Sequence, residues 1–391
     1  MILHILLDDK FGNYMINQFN QVNKSLNHFL VVSNSEKLIF INPKFDNFSS
    51  VNVEEMNSYL NLNKDRIQAI VFHGLNEEYK WEIINKYYGK IKLHWFFWGT
   101  DGYMLPSMRK GLLKKKTRSL KIEKTKVKFW MYKIYNNNGI YNFLYLKIRN
   151  LLKKDKLFFQ KFEDSLMKLS SISAIPDDYE KLKKATKISI KNFPVNIGSI
   201  DSILTDKKKF KKKKIGNNIL LGNSISLENN HLDAFESLKD FDLSGRKILV
   251  PLSYGESFEG LQRHLISTGS SIFTNKIFTP ITDFMNRKEY NELLSSCSVA
   301  ILNHNKQHAW GNILTLLYLG LKVFLNEKNP IYTYLINLNV VVFEMNSLSQ
   351  ENLDNKLTQI FVERNRKILN SNFGSEKVFQ QTSLLINELV T

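Results

Sequence analysis

The residues best suited to proton transfer stand where short apolar runs end. Asp8 and Asp9 follow the run Ile2–Leu7, His73 and Gly74 follow 69–72, and Asp101 closes the segment Trp98-Gly99-Thr100-Asp101. A carboxylate or neutral imidazole within hydrogen-bond reach of a hydroxyl can take its proton as that oxygen becomes a nucleophile. Asp9 and Asp101 are the preferred pair for this role and His73 a further candidate. Each also fits a helix cap or a turn.

A second set suits an anionic ligand. Gly222-Asn223-Ser224, Ser253-Tyr254-Gly255 and Asn303-His304 end apolar runs, and Gln307-His308-Ala309-Trp310-Gly311-Asn312 opens an apolar helix. Small residues between strand and helix let backbone N–H groups and a serine hydroxyl approach a phosphate, and the helix dipole favours the anion. Tyr254 suits stacking on a nucleobase. Gly222, Asn223, Ser224, Ser253, Tyr254, Asn303, His304, Trp310, Gly311 and Asn312 are therefore the expected binding residues. The plain alternatives are a Ser/Asn helix cap, a half-buried loop tyrosine and exposed loop histidines. Asp240-Phe241-Asp242 has the spacing of a metal-diphosphate clamp, but it lies between a helix and Leu243-Ser244-Gly245, the setting of a surface turn. Neither a metal nor a cofactor is expected.

These residues need elements to hold them. Strands at Ile2–Leu7, 29–33, 38–41, 69–72 and 92–98 alternate with helices near 13–26 and 77–88, and 172–175 and 188–190 read as closing strands. A second series has strands at Asn218–Leu221, 247–252, 299–302, Lys322–Leu325 and 340–343. Its helices fall near 227–238, 259–268, Arg287–Ser295 and 313–319. Short buried strands alternating with helices predict parallel sheets covered on both faces, with ligands at the carboxyl ends of the strands. The expected fold is α/β, of GT-B type: two Rossmann-like domains facing a central cleft, with a basic amphipathic helical insert. The boundaries are 1–206 for the first domain with its insert at 103–157, 207–216 for a linker, and 217–391 for the second, whose last helix can cross back.

Length and charge set the outer limits. A chain of 391 residues with 43% hydrophobic residues favours two or three domains. One cysteine, Cys297, allows no internal disulfide. Met1 runs directly into the apolar stretch, which reads as a strand rather than a leader, and no window has the ~18–20 apolar residues of a spanning helix. The formal charge is +18, which recruits polyanions or an anionic surface. Sixteen Lys and Arg lie between Arg109 and Lys156 against Glu123 and Asp155, and a lysine run occupies 207–214. Within 109–156, Tyr141, Leu144, Ile148 and Leu151 recur at helical spacing beside lysines and arginines, which suits a helix lying in a membrane interface. A solvated basic helix packed on the domain is the alternative.

Several segments resemble the family 56 glycosyltransferases, the TDP-4-acetamido-4,6-dideoxygalactose (TDP-Fuc4NAc):lipid II transferases of enterobacterial common antigen synthesis. They are Gly222-Asn223-Ser224 with Glu228-Asn229-Asn230-His231, Phe72-His73-Gly74, Trp98-Gly99-Thr100-Asp101, Val250-Pro251-Leu252-Ser253-Tyr254, Gly311-Asn312-Ile313-Leu314, and Leu325-Asn326 with Asn329-Pro330. The likeness is strongest over 216–345. It implies a TDP-deoxyaminosugar donor held by the second domain, inversion at the anomeric carbon and an undecaprenyl-diphosphate-linked acceptor at the cytoplasmic face of the inner membrane. Asn223, Ser224, Tyr254, Trp310, Gly311 and Asn312 fall at its donor-site positions. The sequence departs at Glu327-Lys328, at His308 and at Trp310. An O-antigen or capsule transferase, a basic nucleic-acid binder and a non-catalytic scaffold are the competing readings.

Overall fold

The computed structural model describes residues 1–35, 37–42, 44–120, 154–204, 207–255 and 258–391, with the backbone alone at 154–157 and 209. The chain divides into two compact units. The first takes 1–108, 154–203 and Asn372–Thr391, and the second takes 109–120 and 204–371. The amphipathic stripe expected around 141–151 lies outside the described residues.

The first unit is built on a seven-stranded sheet: β1 (Ile2–Leu7), β2 (Asn27–Val32), β3 (Phe48–Val51), β4 (Ala69–His73), β5 (Lys92–Phe96), β6 (Ser171–Ser173) and β7 (Lys191–Asn192). Their order is β3-β2-β1-β4-β5-β6-β7, and every pairing is parallel. β1 and β4 are therefore the neighbours from which the connections run in opposite directions, the switch point where α/β sheets open a crevice. β1 and β4 are buried on both faces, so both layers must be covered. The helix Gly12–Asn23 covers one side with Met15, Ile16 and Phe19. The last helix, Ser375–Val390, adds Leu385, Ile386 and Leu389 to the same core.

The second unit has six strands: β8 (Asn218–Leu221), β9 (Ile248–Pro251), β10 (Phe278–Ile281), β11 (Cys297–Leu302), β12 (Lys322–Leu325) and β13 (Phe343–Glu344). Their order is β10-β9-β8-β11-β12-β13, again wholly parallel, with the switch point between β8 and β11. The helix Trp310–Leu319 is buried from Ile313 onward, as its apolar sequence requires.

The structure departs from the expectations or adds to them at four places. Residues 38–41 do not form a strand: Asp8 draws their backbone N–H groups into a loop, and Phe48–Val51 takes the sheet edge instead. β10 has no alternation to betray it and contains Pro280, which an edge strand tolerates. Within the expected linker, Lys207–Lys212 is helical and its one apolar residue, Phe210, is buried. Finally, 109–120 belongs to the second unit: Leu113 and Leu120 enter that unit's core.

Candidate functional site

In the second unit the switch-point rim is rich in polar residues, several of them buried with one side-chain atom lacking a hydrogen-bond partner. Gly222 follows β8 with φ +72°, and a Cβ there would stand 2.7 Å from Nε2 of His231. Only glycine lets the chain turn this tightly over that ring. Asn223 and Ser224 are 3% and 1% exposed. The Ser224 backbone carbonyl and Oγ both accept from Asn229 Nδ2, at 2.9 and 3.0 Å, and Oγ stands 3.5 Å from His308 Nε2. Gly255 packs against this turn, its Cβ position 3.0 Å from Ser224 Cβ, and the Tyr254 carbonyl accepts from Ile225 N at 2.9 Å. Ser253 and Tyr254 are half-buried beside it.

Asn303 and His304 follow β11. Asn303 Oδ1 accepts from Lys114 Nζ at 2.6 Å, and its carbonyl accepts from Asn230 Nδ2 at 3.0 Å. His304 is fully buried with Asn329 Nδ2 2.8 Å from its Nδ1, and desolvation holds it neutral, pulled down to about 4. Trp310, Gly311 and Asn312 form the first turn of their helix, where backbone N–H groups have no intrahelical acceptor. Ala309 caps it at φ +60°, a left-handed conformation rare for a residue with a Cβ. Glu228 and Lys306 form a buried ion pair in the same region.

Six polar atoms here are buried and have no partner among the described residues: Asn223 Oδ1, Asn229 Oδ1, His231 Nε2, His304 Nε2, Asn305 Oδ1 and Gln307 Oε1. An unmet buried acceptor costs about 1–3 kcal/mol. Native proteins leave few buried polar atoms unmet, so this cluster at a switch point marks the rim as the candidate site.

In the first unit, Asp9 is half-buried at the end of β1, with Oδ1 accepting from Phe11 N at 2.6 Å and Gly12 N at 3.1 Å. Desolvation raises its carboxyl above the ordinary range despite those two N–H groups. Asp101 is different. It has no exposed surface, Oδ2 accepts from Trp95 Nε1 at 2.6 Å and Leu75 N at 3.2 Å, and Oδ1 accepts from Trp98 N at 3.1 Å. Burial pushes it up to about 6. Its oxygens tie the β4 and β5 loops together, including Gly74 at φ +77°.

His73 is 6% exposed and belongs to a relay that sequence reasoning did not find. Asn27 Nδ2 donates to the carbonyls of Phe19 and Asn23, so its Oδ1 is the atom 2.9 Å from His4 Nε2. His4 must then donate through Nε2 and accept at Nδ1 from His73 Nε2 at 3.1 Å. Burial keeps both rings neutral, so His73 is left with a bare Nδ1. His4 and Asn27 gave no signal because each looks like an ordinary strand residue.

Asp240-Phe241-Asp242 is the surface turn expected, with Asp242 accepting from Ser244 N at 2.9 Å. Among the described residues no three His, Cys, Asp or Glu side chains cluster at metal-binding distance. No helix among them is long and apolar enough to cross a membrane.

Residues 156–383 match the family model described as 4-alpha-L-fucosyltransferase, glycosyl transferase group 56. The chain belongs to glycosyl transferase group 56. It is a glycosyltransferase. Its fold is shared with solved structures of low identity. Sucrose-phosphate synthase from Thermosynechococcus elongatus superposes with a TM-score of 0.64 at 10% identity, covering 100% of this chain and 99% of that one. A structure described as trehalose-6-phosphate from E. coli bound with UDP-2-fluoro glucose gives 0.58 at 9%, covering 100% and 99%. WaaG, a glycosyltransferase involved in lipopolysaccharide biosynthesis, gives 0.53 at 11%, covering 99% and 95%. The group 56 chain thus has the GT-B architecture expected of it. The family match spans the rim residues from Gly222 to Asn329 and does not reach Asp9, His73, Asp101 or Lys114.

Proposed function

We propose that the protein transfers a deoxyaminosugar, of the Fuc4NAc kind, from a TDP-sugar to an undecaprenyl-diphosphate-linked saccharide, with inversion and without a metal ion. The observation that carries the donor half of this reading is the set of six unpartnered polar atoms around β8 and β11. Nucleotide and sugar offer hydroxyl and amide donors to the Asn and Gln oxygens. The diphosphate takes the N–H groups of the Trp310–Leu319 helix and the charge of Lys114. The family description, a fucosyltransferase, supports a 6-deoxyhexose donor. The UDP-2-fluoro glucose bound in the E. coli structure supports a nucleotide-sugar donor, and the lipopolysaccharide role of WaaG supports a surface-glycan pathway.

Transfer is a single displacement. An acceptor hydroxyl gives its proton to Asp9, its oxygen bonds to the anomeric carbon, and the bond from that carbon to the diphosphate oxygen breaks with its electrons. Asp9 is the assigned base because its carboxyl is partly open and raised by desolvation, whereas Asp101 has both oxygens engaged. The lipid-linked acceptor makes the protein peripheral on the cytoplasmic face of the inner membrane. Calorimetric titration with TDP, with and without manganese, tests the donor half; radiolabelled transfer to a lipid-linked acceptor tests the rest. Absence of affinity for any nucleoside diphosphate would sink the proposal. Affinity strictly dependent on manganese would remove its metal-free form.

A further inference from the structure

Large apolar side chains crowd the mouth of the first unit's sheet. Ile39 is 78% exposed, Phe40 50%, Phe11 39% and Leu7 37%. They are held as one crest. Asp8, beside Leu7, accepts from the backbone N–H groups of Ile39, Phe40 at 3.1 Å and Ile41 at 2.9 Å. Asn13 donates to the Phe40 carbonyl at 2.6 Å and accepts from Asn42 N at 2.9 Å. Phe11 stacks on Trp98 with ring centroids 5.2 Å apart. Ile41 is buried under Gly12, where a Cβ would come within 2.6 Å of Ile41 Cγ1, so the loop is anchored from below.

A loop pinned at this many points presents Ile39 and Phe40 to water in a fixed position. Little further ordering is needed when those side chains meet a hydrocarbon phase, and the transfer of their area is favourable. The fringe selects the phase. Lys10, Lys37 and Lys44 are exposed around the crest, and 37–45 contains no acidic residue. Asp46 is paired with Lys24 at 2.7 Å, Asp8 is consumed by the loop, Asp9 is half-buried and accepts from Phe11 N and Gly12 N, and Glu36 lies outside the described residues. Apolar tips ringed by lysines match an anionic bilayer interface.

We propose that Leu7, Phe11, Ile39 and Phe40 insert into an anionic lipid surface. This sets Asp9, two residues from Leu7, at the level where a lipid-linked hydroxyl arrives, and in that respect rests on the acceptor reading above.

Flotation of the full-length protein with phosphatidylcholine vesicles, and with vesicles containing phosphatidylglycerol, reads the contact directly. Ile39→Ser with Phe40→Ser should lower recovery with anionic vesicles by roughly tenfold or more, and Ile39→Trp should retain it. TDP affinity and turnover on a water-soluble short-chain acceptor should be unchanged in both, while KM for a long-chain acceptor in vesicles rises in the double variant. Flotation of the double variant equal to wild type overturns the proposal. So does sedimentation showing a wild-type dimer that the double variant dissolves, because the crest would then be covered by a second copy. If vesicle binding falls as expected but wild type transfers only to soluble acceptors, the lipid contact stands and the acceptor reading fails.

Discussion

Asp9 and Asp101 lie in the loops that follow β1 and β5 of one sheet and carry the same functional group, but their neighbours separate them chemically. Asp101 accepts from three N–H donors and has no exposed surface, so it organises loops. Asp9 accepts from two donors through one oxygen and keeps partial exposure. Asp9→Asn is expected to retain TDP affinity and thermal stability while transfer falls about 10²–10⁴-fold. Asp101→Asn, which sets an amide NH2 among N–H donors, should lower stability by about 1–3 kcal/mol; equal loss of turnover at unchanged stability in the two variants would reverse the assignment. The buried histidines set a pH dependence. His4 and His94 are pulled down to about 3 by burial, and His73 also lies well below its ordinary value. The unfolded chain binds protons near pH 6.5 and the folded one does not, so stability is full above that value and falls as pH drops towards 3. Each histidine should account for about 2 kcal/mol lost between roughly pH 7 and 5, seen as a falling urea midpoint for the first unit. A flat midpoint would show that the rings take up protons in the folded unit as they do in the unfolded chain. The strand-end positions of Asp9, His73, Asn223 and Asn303 were legible because strand ends carry the chemistry in parallel sheets. Whether an oxygen is free or engaged was not, since that depends on residues such as Trp95 and Asn27 distant in sequence.

At the scale of elements, the segment 109–120 is the main surprise. Its lysines read as a surface run, but Leu113 and Leu120 are core residues, and Asp233 accepts from the N–H groups of Lys116 and Thr117 at 2.9 Å. The Leu112 carbonyl accepts from Asn230, and the Gly111 carbonyl accepts from Asn305. The strap therefore fixes Lys114 over Asn303, where desolvation lowers the lysine's pKa while Glu327 and Asp233 favour its charge. A cation held in this way compensates a leaving diphosphate more effectively than a solvated lysine. Lys114→Ala should weaken TDP binding about tenfold by calorimetry and leave thymidine affinity unchanged; equal weakening of both would indicate a lost fold contact instead. Periodicity located most strands and helices within a few residues. It failed at 38–41, where an apolar run is fastened by Asp8 instead of by a neighbouring strand, and it missed β10, whose Pro280 is tolerated because the strand lies at the sheet edge. Both failures turn on a partner that the local sequence does not contain.

At the scale of the whole chain, the linear order of domains is broken at its end. The alternation of strands and helices announced two Rossmann-like halves, and a crossing last helix was anticipated, but only packing shows what that helix supplies. Gln18, 6% exposed on the helix Gly12–Asn23, donates to Thr382 at 2.9 Å and to the Asn196 carbonyl at 3.0 Å. Leu385, Ile386 and Leu389 are 0–3% exposed among Met15, Ile16 and Phe19. Each buried aliphatic is worth about 1.5–3 kcal/mol, so three of them rival the ~5–15 kcal/mol that holds a whole domain together. Deleting 374–391 removes no residue of the polar rim around β8 and β11. The truncated protein should therefore lose the first unit's cooperative transition, expose protease sites within 1–108, and abolish transfer. It should keep a second transition that TDP still raises, because ligand binding stabilises the unit that retains its site. Loss of both transitions together would show that the second unit cannot stand without the first; retention of both would mean that the last helix contributes far less than its buried leucines imply.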